Sequence, residues 1–270
     1  MLEPEQSIGV FDSGVGGLTV ASAIKHLLPN ERIIYFGDTA HLPYGDKSGE
    51  TIIEYSTHIT DFLLENDVKV VLIACNTASA VAYHRLVNHL NNSVLLVNVI
   101  DPVVNYIVSH FSGRKIGVIG TKATIKSGTY EHKILEKDTN VMVSSLATPL
   151  FVPMIEEGFV YDDISNAIIR AYLSDERLKY IRSLILGCTH YPIIKNQIRK
   201  YFEFKVDVVD SANIVARYLK ELLEEHNLIS DQKAKEDVFY VSDFTDYFES
   251  IARMFFDESI HLEKKNIWKD

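Results

Sequence analysis

Cysteine is scarce in this chain of 270 residues: there are two, Cys75 and Cys188. Two cysteines cannot complete a zinc site without added His or Asp ligands, so no metal is expected. A disulfide would need an oxidising compartment. The opening segment, Met1 to Ser7, is acidic and has no apolar core, so no export signal is expected. No apolar run approaches the roughly 18 residues that a bilayer span needs. Basic charge is also short. Lys and Arg total 27 against 37 Asp and Glu, a formal net charge of −10. That balance argues against nucleic-acid binding, which needs a basic face. It also means that an anionic substrate needs local donors. Free thiols in a cytoplasmic protein, with no membrane partner, are the expectation.

What is present is a regular alternation. The apolar fraction of 47% is ordinary for a globular protein, and the length suits one large domain or two small ones. Ser7-Ile8-Gly9-Val10-Phe11-Asp12 reads as a buried strand, followed by a glycine turn (Ser13 to Gly17) and a helix stopped by Pro29-Asn30. The glycine spacing fits neither the dinucleotide fingerprint nor the P-loop, so these glycines are read as letting a ligand or the neighbouring chain approach the backbone. Arg32 to Phe36 is a second strand, with an irregular loop, Gly37 to Gly45, at its end. A helix ending near Asn66 leads to the strand before Cys75. One helix is expected from there through Leu90, then a strand at Val94 to Val99.

Asp101-Pro102 reads as an N-cap with proline at the first helical position, opening a helix to about Phe111. Lys115 to Thr121 is a strand with a turn, and one helix is expected on to about Glu136. Val141 to Ser145 is a strand, and Pro149 to Gly158 a loop with a short turn containing Glu156. Helices are expected over Asp162 to Leu173, Asp175 to Arg182 and, after the Cys188 strand, Tyr191 to Phe202. Val206 to Val209 is a strand and Ser211 to His226 a helix. Val238 to Val241 and Phe244 to Phe256 make a last strand and helix.

This alternation predicts a doubly wound α/β architecture with mostly parallel sheets. A faint repeat sharpens it. Ile8-Gly9-Val10 resembles Ile116-Gly117-Val118; Cys75 lies 66 residues after Gly9 and Cys188 lies 71 after Gly117. Two pseudosymmetric α/β domains are therefore expected. The first comprises residues 1–99 plus 210–270 and carries Cys75; the second, 100–209, carries Cys188. The crevice between them is the natural ligand site.

Each cysteine ends an apolar run, in Val70-Val71-Leu72-Ile73-Ala74-Cys75 and in Leu184-Ile185-Leu186-Gly187-Cys188. A thiol between a strand end and a helix N-terminus is expected to have a depressed pKa. Asn76-Thr77 and Thr189-His190 follow the two cysteines with side-chain donors, and Ser13 and Thr121 stand at the matching strand ends. Two thiols on opposite sides of one carbon could remove a proton from one face and return one to the other, with nearby Asp12, His190, Asp38 and Glu156 setting protonation states. The plainer readings are a buried apolar cysteine, a helix-capping Asp12, a packed His190, a turn-forming Asp38, a solvated Glu156 and a core Tyr44. Two cysteines in parallel contexts favour chemistry.

These segments resemble glutamate racemase: IGVFDSGVGGLTV (8–20), YFGDTAHLPYG (35–45), ACNTASA (74–80), GVIGTKATIKSG (117–128), PMIEEG (153–158) and LGCTHYP (186–192). They occur in family order and span most of the chain. The resemblance implies a cofactor-independent racemase of L- and D-glutamate, with D-glutamate destined for bacterial peptidoglycan. It implies Cys75 and Cys188 as proton donor and acceptor, Asp12 and His190 as auxiliary groups, and Asp38 and Glu156 as further carboxylates. It implies substrate contacts at Asp12, Ser13, Tyr44, Gly45, Asn76, Thr77, Thr121, Thr189 and His190, and commonly a homodimer. A racemase for aspartate or another small acid, and a non-catalytic binder of acidic ligands, remain alternatives. No lysine stands in the strand-end motifs for a pyridoxal-phosphate Schiff base.

Overall fold

The structure, a computed structural model, describes residues 2–232, 236–244, 252 and 262–268. Its strands fall into two sheets. The first contains β1 (Ser7–Asp12), β2 (Ile33–Gly37), β3 (Val68–Ile73), β4 (Leu95–Asn98), β9 (Val238–Val241) and β10 (Leu262–Lys264) in the order β10-β9-β2-β1-β3-β4. The second contains β5 (Lys115–Gly120), β6 (Met142–Ala147), β7 (Ser183–Gly187) and β8 (Asp207–Val209) in the order β6-β5-β7-β8. Every pairing is parallel. The order β2-β1-β3-β4 in one sheet is repeated as β6-β5-β7-β8 in the other, so the repeat read from the sequence is a repeat of topology. β3 and β7, which deliver the two cysteines, hold corresponding places.

The central strands are buried along their whole length, with successive side chains pointing to opposite helix-covered faces, as continuous apolar runs in a parallel sheet require. Ile8, Val10, Ile33, Tyr35, Val70 and Leu72 point to one face of the first sheet, under helices α1 (Leu18–Leu27) and α11 (Ala212–Glu225). Phe11, Ile34, Phe36, Val71 and Ile73 point to the other, under α2 (Gly49–Glu65) and α4 (Tyr83–Leu90). In the second sheet, Leu184 and Leu186 face α9 (Asp163–Leu173) and α10 (Lys195–Tyr201), whereas Val118 and Ile185 face α5 (Ile100–Phe111) and α7 (Thr129–Lys137).

Several expected elements are altered by local chemistry. The helix after Cys75 is two, α3 (Asn76–Val81) and α4, divided at Ala82. The helix after Thr121 is α6 (Lys122–Lys126) and α7, divided where Gly128 takes φ +66°, a left-handed conformation natural to glycine. Asp101 is not the cap of α5. The N-cap position is Val99, which has no side-chain cap bond; Asn98 Oδ1, one residue before it, accepts the N–H groups of Ile100 and Asp101, each at 2.9 Å. The loop expected at Pro149 to Gly158 contains a helix, α8 (Phe151–Glu156), which buries Phe151, Val152, Met154 and Ile155. The helix expected at Asp175 to Arg182 is only a 3-10 turn, Glu176–Leu178. Pro192, lacking an N–H, leaves another 3-10 turn, Tyr191–Ile194, before α10. Strand β10 was not expected, and the helix expected at Phe244 to Phe256 lies largely outside the described residues.

At the edge of the first sheet opposite Cys75, Lys69 is fully buried. Its Nζ pairs with Glu31 Oε2 at 2.6 Å and donates to the carbonyls of Leu228, at 2.8 Å, and Pro4. Glu31 Oε1 accepts the N–H of Ser230 at 2.9 Å. One buried cation thus ties the N-terminal segment, β3 and the chain leaving α11. Breaking such a pair leaves an uncompensated buried charge. Lys69→Met is expected to lower unfolding free energy by about 3 kcal/mol in a urea titration; an unchanged midpoint would show that this cluster does not hold the segments.

Candidate active site

In a parallel α/β sheet, ligands collect outside the carboxyl ends of the strands, where the strand order reverses. In the first sheet that reversal lies between β1 and β3. Asp12 ends β1, and Cys75 lies two residues beyond β3. In the second sheet it lies between β5 and β7, with Thr121 and Cys188 just beyond them.

Cys75 caps α3: its Sγ accepts the N–H of Ala78 at 3.4 Å, and its thiol donates to Ser13 Oγ at 3.6 Å. Burial and the Asp12 carboxylate outweigh these two contacts and push the Cys75 thiol up to about 12; Cys188 adds to the rise. The depressed value expected from a helix N-terminus is therefore corrected. Desolvation penalises a thiolate more than one N–H and one hydroxyl can compensate.

Cys188 has a different setting. His190 Nδ1 lies 3.8 Å from its Sγ, and His190 Nε2 lies 3.1 Å from Glu156 Oε1. Burial opposes charge on this imidazole, but the hydrogen bonds to Cys188 and Glu156 prevail, and its pKa is raised well above the ordinary value. The two contacts thus favour the protonated imidazole beside Cys188. The residues after Cys188 form the 3-10 turn rather than an α-helix, so the two thiols are alike in topology and unlike in electrostatics.

The two sheets meet at these loops. Thr189 donates to Asp12 Oδ2 at 3.3 Å, and that oxygen also accepts the N–H of Gly17 at 2.7 Å. Asp12 Oδ1 is buried with no partner among the described residues. Thr77 Oγ1 lies 2.9 Å from Thr121 Oγ1. A Cβ added to Gly16 would meet Thr189 Oγ1 at 2.4 Å, and one added to Gly45 would meet Thr121 Cβ at 2.6 Å. These glycines admit close approach of the other unit rather than cradling a phosphate.

Asp12, Ser13, Gly45, Asn76, Thr77, Thr121 and Thr189 thus surround the Cys75 side, and His190 and Glu156 support Cys188. Asp38 is placed differently. Its oxygens accept from Tyr44 at 2.7 Å and Ser242 at 2.8 Å, and His41 Nδ1 lies 2.8 Å from Oδ1. Asp38 thereby holds the loop and Tyr44, whose phenol is pushed well up by burial and then by Asp38. Sequence reading missed Ser242, 204 residues from Asp38, because only the pairing of β9 with β2 brings it there. It also missed Tyr130, which donates to Asn76 Oδ1 at 2.7 Å. No helix among the described residues is long and apolar enough to cross a membrane.

Two buried thiols, several hydroxyl groups and buried charged side chains thus gather where the loops after β1, β3, β5 and β7 meet. Residues 17–219 match the family model described as Asp/Glu/hydantoin racemase. A curated glutamate racemase of Geobacter metallireducens is 42% identical, covering 93% of both chains. That of Chlorobaculum parvum is 40% identical over 92% of this chain and 91% of its own. The crystal structure of glutamate racemase from Francisella tularensis subsp. tularensis, in complex with D-glutamate, superposes with a TM-score of 0.91 at 41% identity, covering 98% of both chains. The chain belongs to the Asp/Glu/hydantoin racemase family and, through these relatives, to its glutamate racemases.

The raised Cys75 value has a chemical signature. The folded state favours the thiol, so this group's contribution to stability is intact below the ordinary thiol value of 9.0 and is lost as pH rises toward about 12. At pH 8 the Cys75 thiolate is rarer than that of an ordinary thiol by about a thousandfold. Iodoacetamide labelling of Cys75, followed by peptide mass spectrometry, is expected to lag free cysteine by at least about a hundredfold. Labelling at the free-cysteine rate would contradict this electrostatic picture.

Proposed function

We propose that this protein interconverts L- and D-glutamate without a cofactor, by proton transfer between the α-carbon and two thiols. The observation that carries this reading is the pair of buried thiols at corresponding strand ends of two sheets, close enough that charge on Cys188 raises Cys75. In one direction Cys188 Sγ removes the α-proton from one face, and the Cα–H electron pair stays on carbon. Cys75 then gives its S–H proton to the opposite face. The carbon is inverted, Cys188 ends as thiol and Cys75 as thiolate, and the reverse reaction starts from that state.

The surrounding groups have roles in this scheme. Protonated His190, with Glu156 behind it, balances negative charge on Cys188. Asp12 offers its unpartnered Oδ1 to the substrate ammonium, which also relieves the repulsion that Asp12 exerts on a Cys75 thiolate. Ser13, Asn76, Thr77, Thr121, Thr189 and the backbone near Tyr44 and Gly45 supply donors for the carboxylates. Asp38 acts through the loop it holds. The wider reading includes a homodimer in the cytoplasm, supplying D-glutamate to peptidoglycan, and a division into domains 1–99 plus 210–270 and 100–209; the two-sheet topology supports that division.

With L-glutamate in heavy water and no added cofactor, the expected products are D-glutamate and α-deuterated glutamate, with aspartate reacting far more slowly. Absence of both products would sink the proposal. Cys75→Ser and Cys188→Ser are each expected to lower racemisation by about 10²-fold or more. Full activity in either variant would end the two-thiol account.

A further inference from the structure

Asn76 is buried, and its two amide atoms have different fates. Oδ1 accepts the hydroxyl proton of Tyr130 at 2.7 Å, whereas Nδ2 has no partner among the described residues. A buried donor left unpaired is costly in a folded protein, and one next to a thiol in a substrate crevice points to a ligand acceptor. The reverse orientation of the amide would direct an oxygen toward the crevice and repel a carboxylate. It would also take the acceptor away from the Tyr130 hydroxyl proton. Tyr130 thus favours the orientation that leaves an N–H group for the substrate.

The tyrosine is itself well held. It lies on α7, with the second sheet, and reaches across to α3, with the first. A Cβ added to Gly187, the residue before Cys188, would meet Ile119 O at 2.7 Å and Tyr130 Cε2 at 3.4 Å. The Tyr130 ring therefore packs beneath the backbone that presents Cys188, while its hydroxyl fixes the residue next to Cys75. Burial, and then the charge of Cys188, push its phenol upward, so the hydroxyl keeps its proton through the physiological range.

We propose that Tyr130 is a positioning residue that orients the Asn76 amide so that Nδ2 donates to a carboxylate of the bound substrate, linking the two units through one hydrogen bond. This rests on the reading of the site as a glutamate racemase. It assigns Tyr130 a role in substrate affinity rather than in proton transfer.

Tyr130→Phe removes the hydroxyl and keeps the ring under Gly187, and circular dichroism with thermal melting checks that the variant folds. Its KM for glutamate is expected to rise about tenfold in both directions, with kcat changed by less than about threefold. A double-mutant cycle separates positioning from a general structural effect. In an Asn76→Ala background, adding Tyr130→Phe is expected to change KM by less than about twofold, because the group it orients is gone. An unchanged KM in Tyr130→Phe, a loss confined to kcat, or a full tenfold rise on top of Asn76→Ala would each overturn the inference. Wild-type protein assayed alongside separates the two levels. If it does not racemise glutamate, the functional reading fails; if it does and Tyr130→Phe behaves like it, only the positioning role fails.

Discussion

The site depends on the close approach of the two units at Gly16 and Thr189. A single added carbon at Gly16 would meet the Thr189 hydroxyl oxygen at 2.4 Å, so glycine there is a condition of the crevice rather than a flexible linker. The approach lets Thr189 donate to Asp12 and so joins the loop after β1 to the loop after β7. Gly45 against Thr121, Thr77 against Thr121 and Tyr130 against Asn76 repeat the arrangement on other edges of the same opening. Most of these residues stand outside the core of their own sheet, whereas Tyr130 belongs to it and reaches across with its hydroxyl. They lie at contact distance because the loops beyond the carboxyl ends of the two sheets, which share the four-strand order β2-β1-β3-β4 and β6-β5-β7-β8, meet.

Within that frame the two thiols are not electrostatic equals. Cys75 sits by a buried carboxylate, and burial holds it as a thiol. Cys188 sits by an imidazole whose bonds to Cys188 and Glu156 favour its protonated form. The neighbouring groups thus distinguish a sulfur beside a buried carboxylate from one beside an imidazole. A net charge of −10 makes this local arrangement necessary for an anionic substrate, since the distant field is repulsive.

Much of the fold was legible because short continuous apolar runs and turn-punctuated strand ends are local signals. The strands β1, β5 and β9 fall where the pattern placed them, with the same bounds apart from the turn residue after β5. The corresponding places of Cys75 beyond β3 and Cys188 beyond β7 were legible through the repeat. Errors arose where a short-range contact outcompeted the pattern. Asn98 Oδ1, rather than Asp101, takes the first N–H groups of α5, Gly128 divided a helix, and buried apolar residues made Phe151–Glu156 helical. Ser242 and Tyr130 had no local signal, because their importance lies in a partner far away in sequence.

By itself the sequence determined the alternation of strands and helices, the doubled topology and the delivery of one cysteine to the end of each β3-like strand. These follow from burial periodicity, which neighbouring residues encode. Only the tertiary structure decided the protonation preferences at the site. A helix N-terminus beside Cys75 argues for an easily ionised thiol when read along the chain. The folded protein reverses that conclusion because desolvation and the Asp12 carboxylate, brought together by the β1–β3 pairing, act more strongly on the sulfur than the adjacent N–H does.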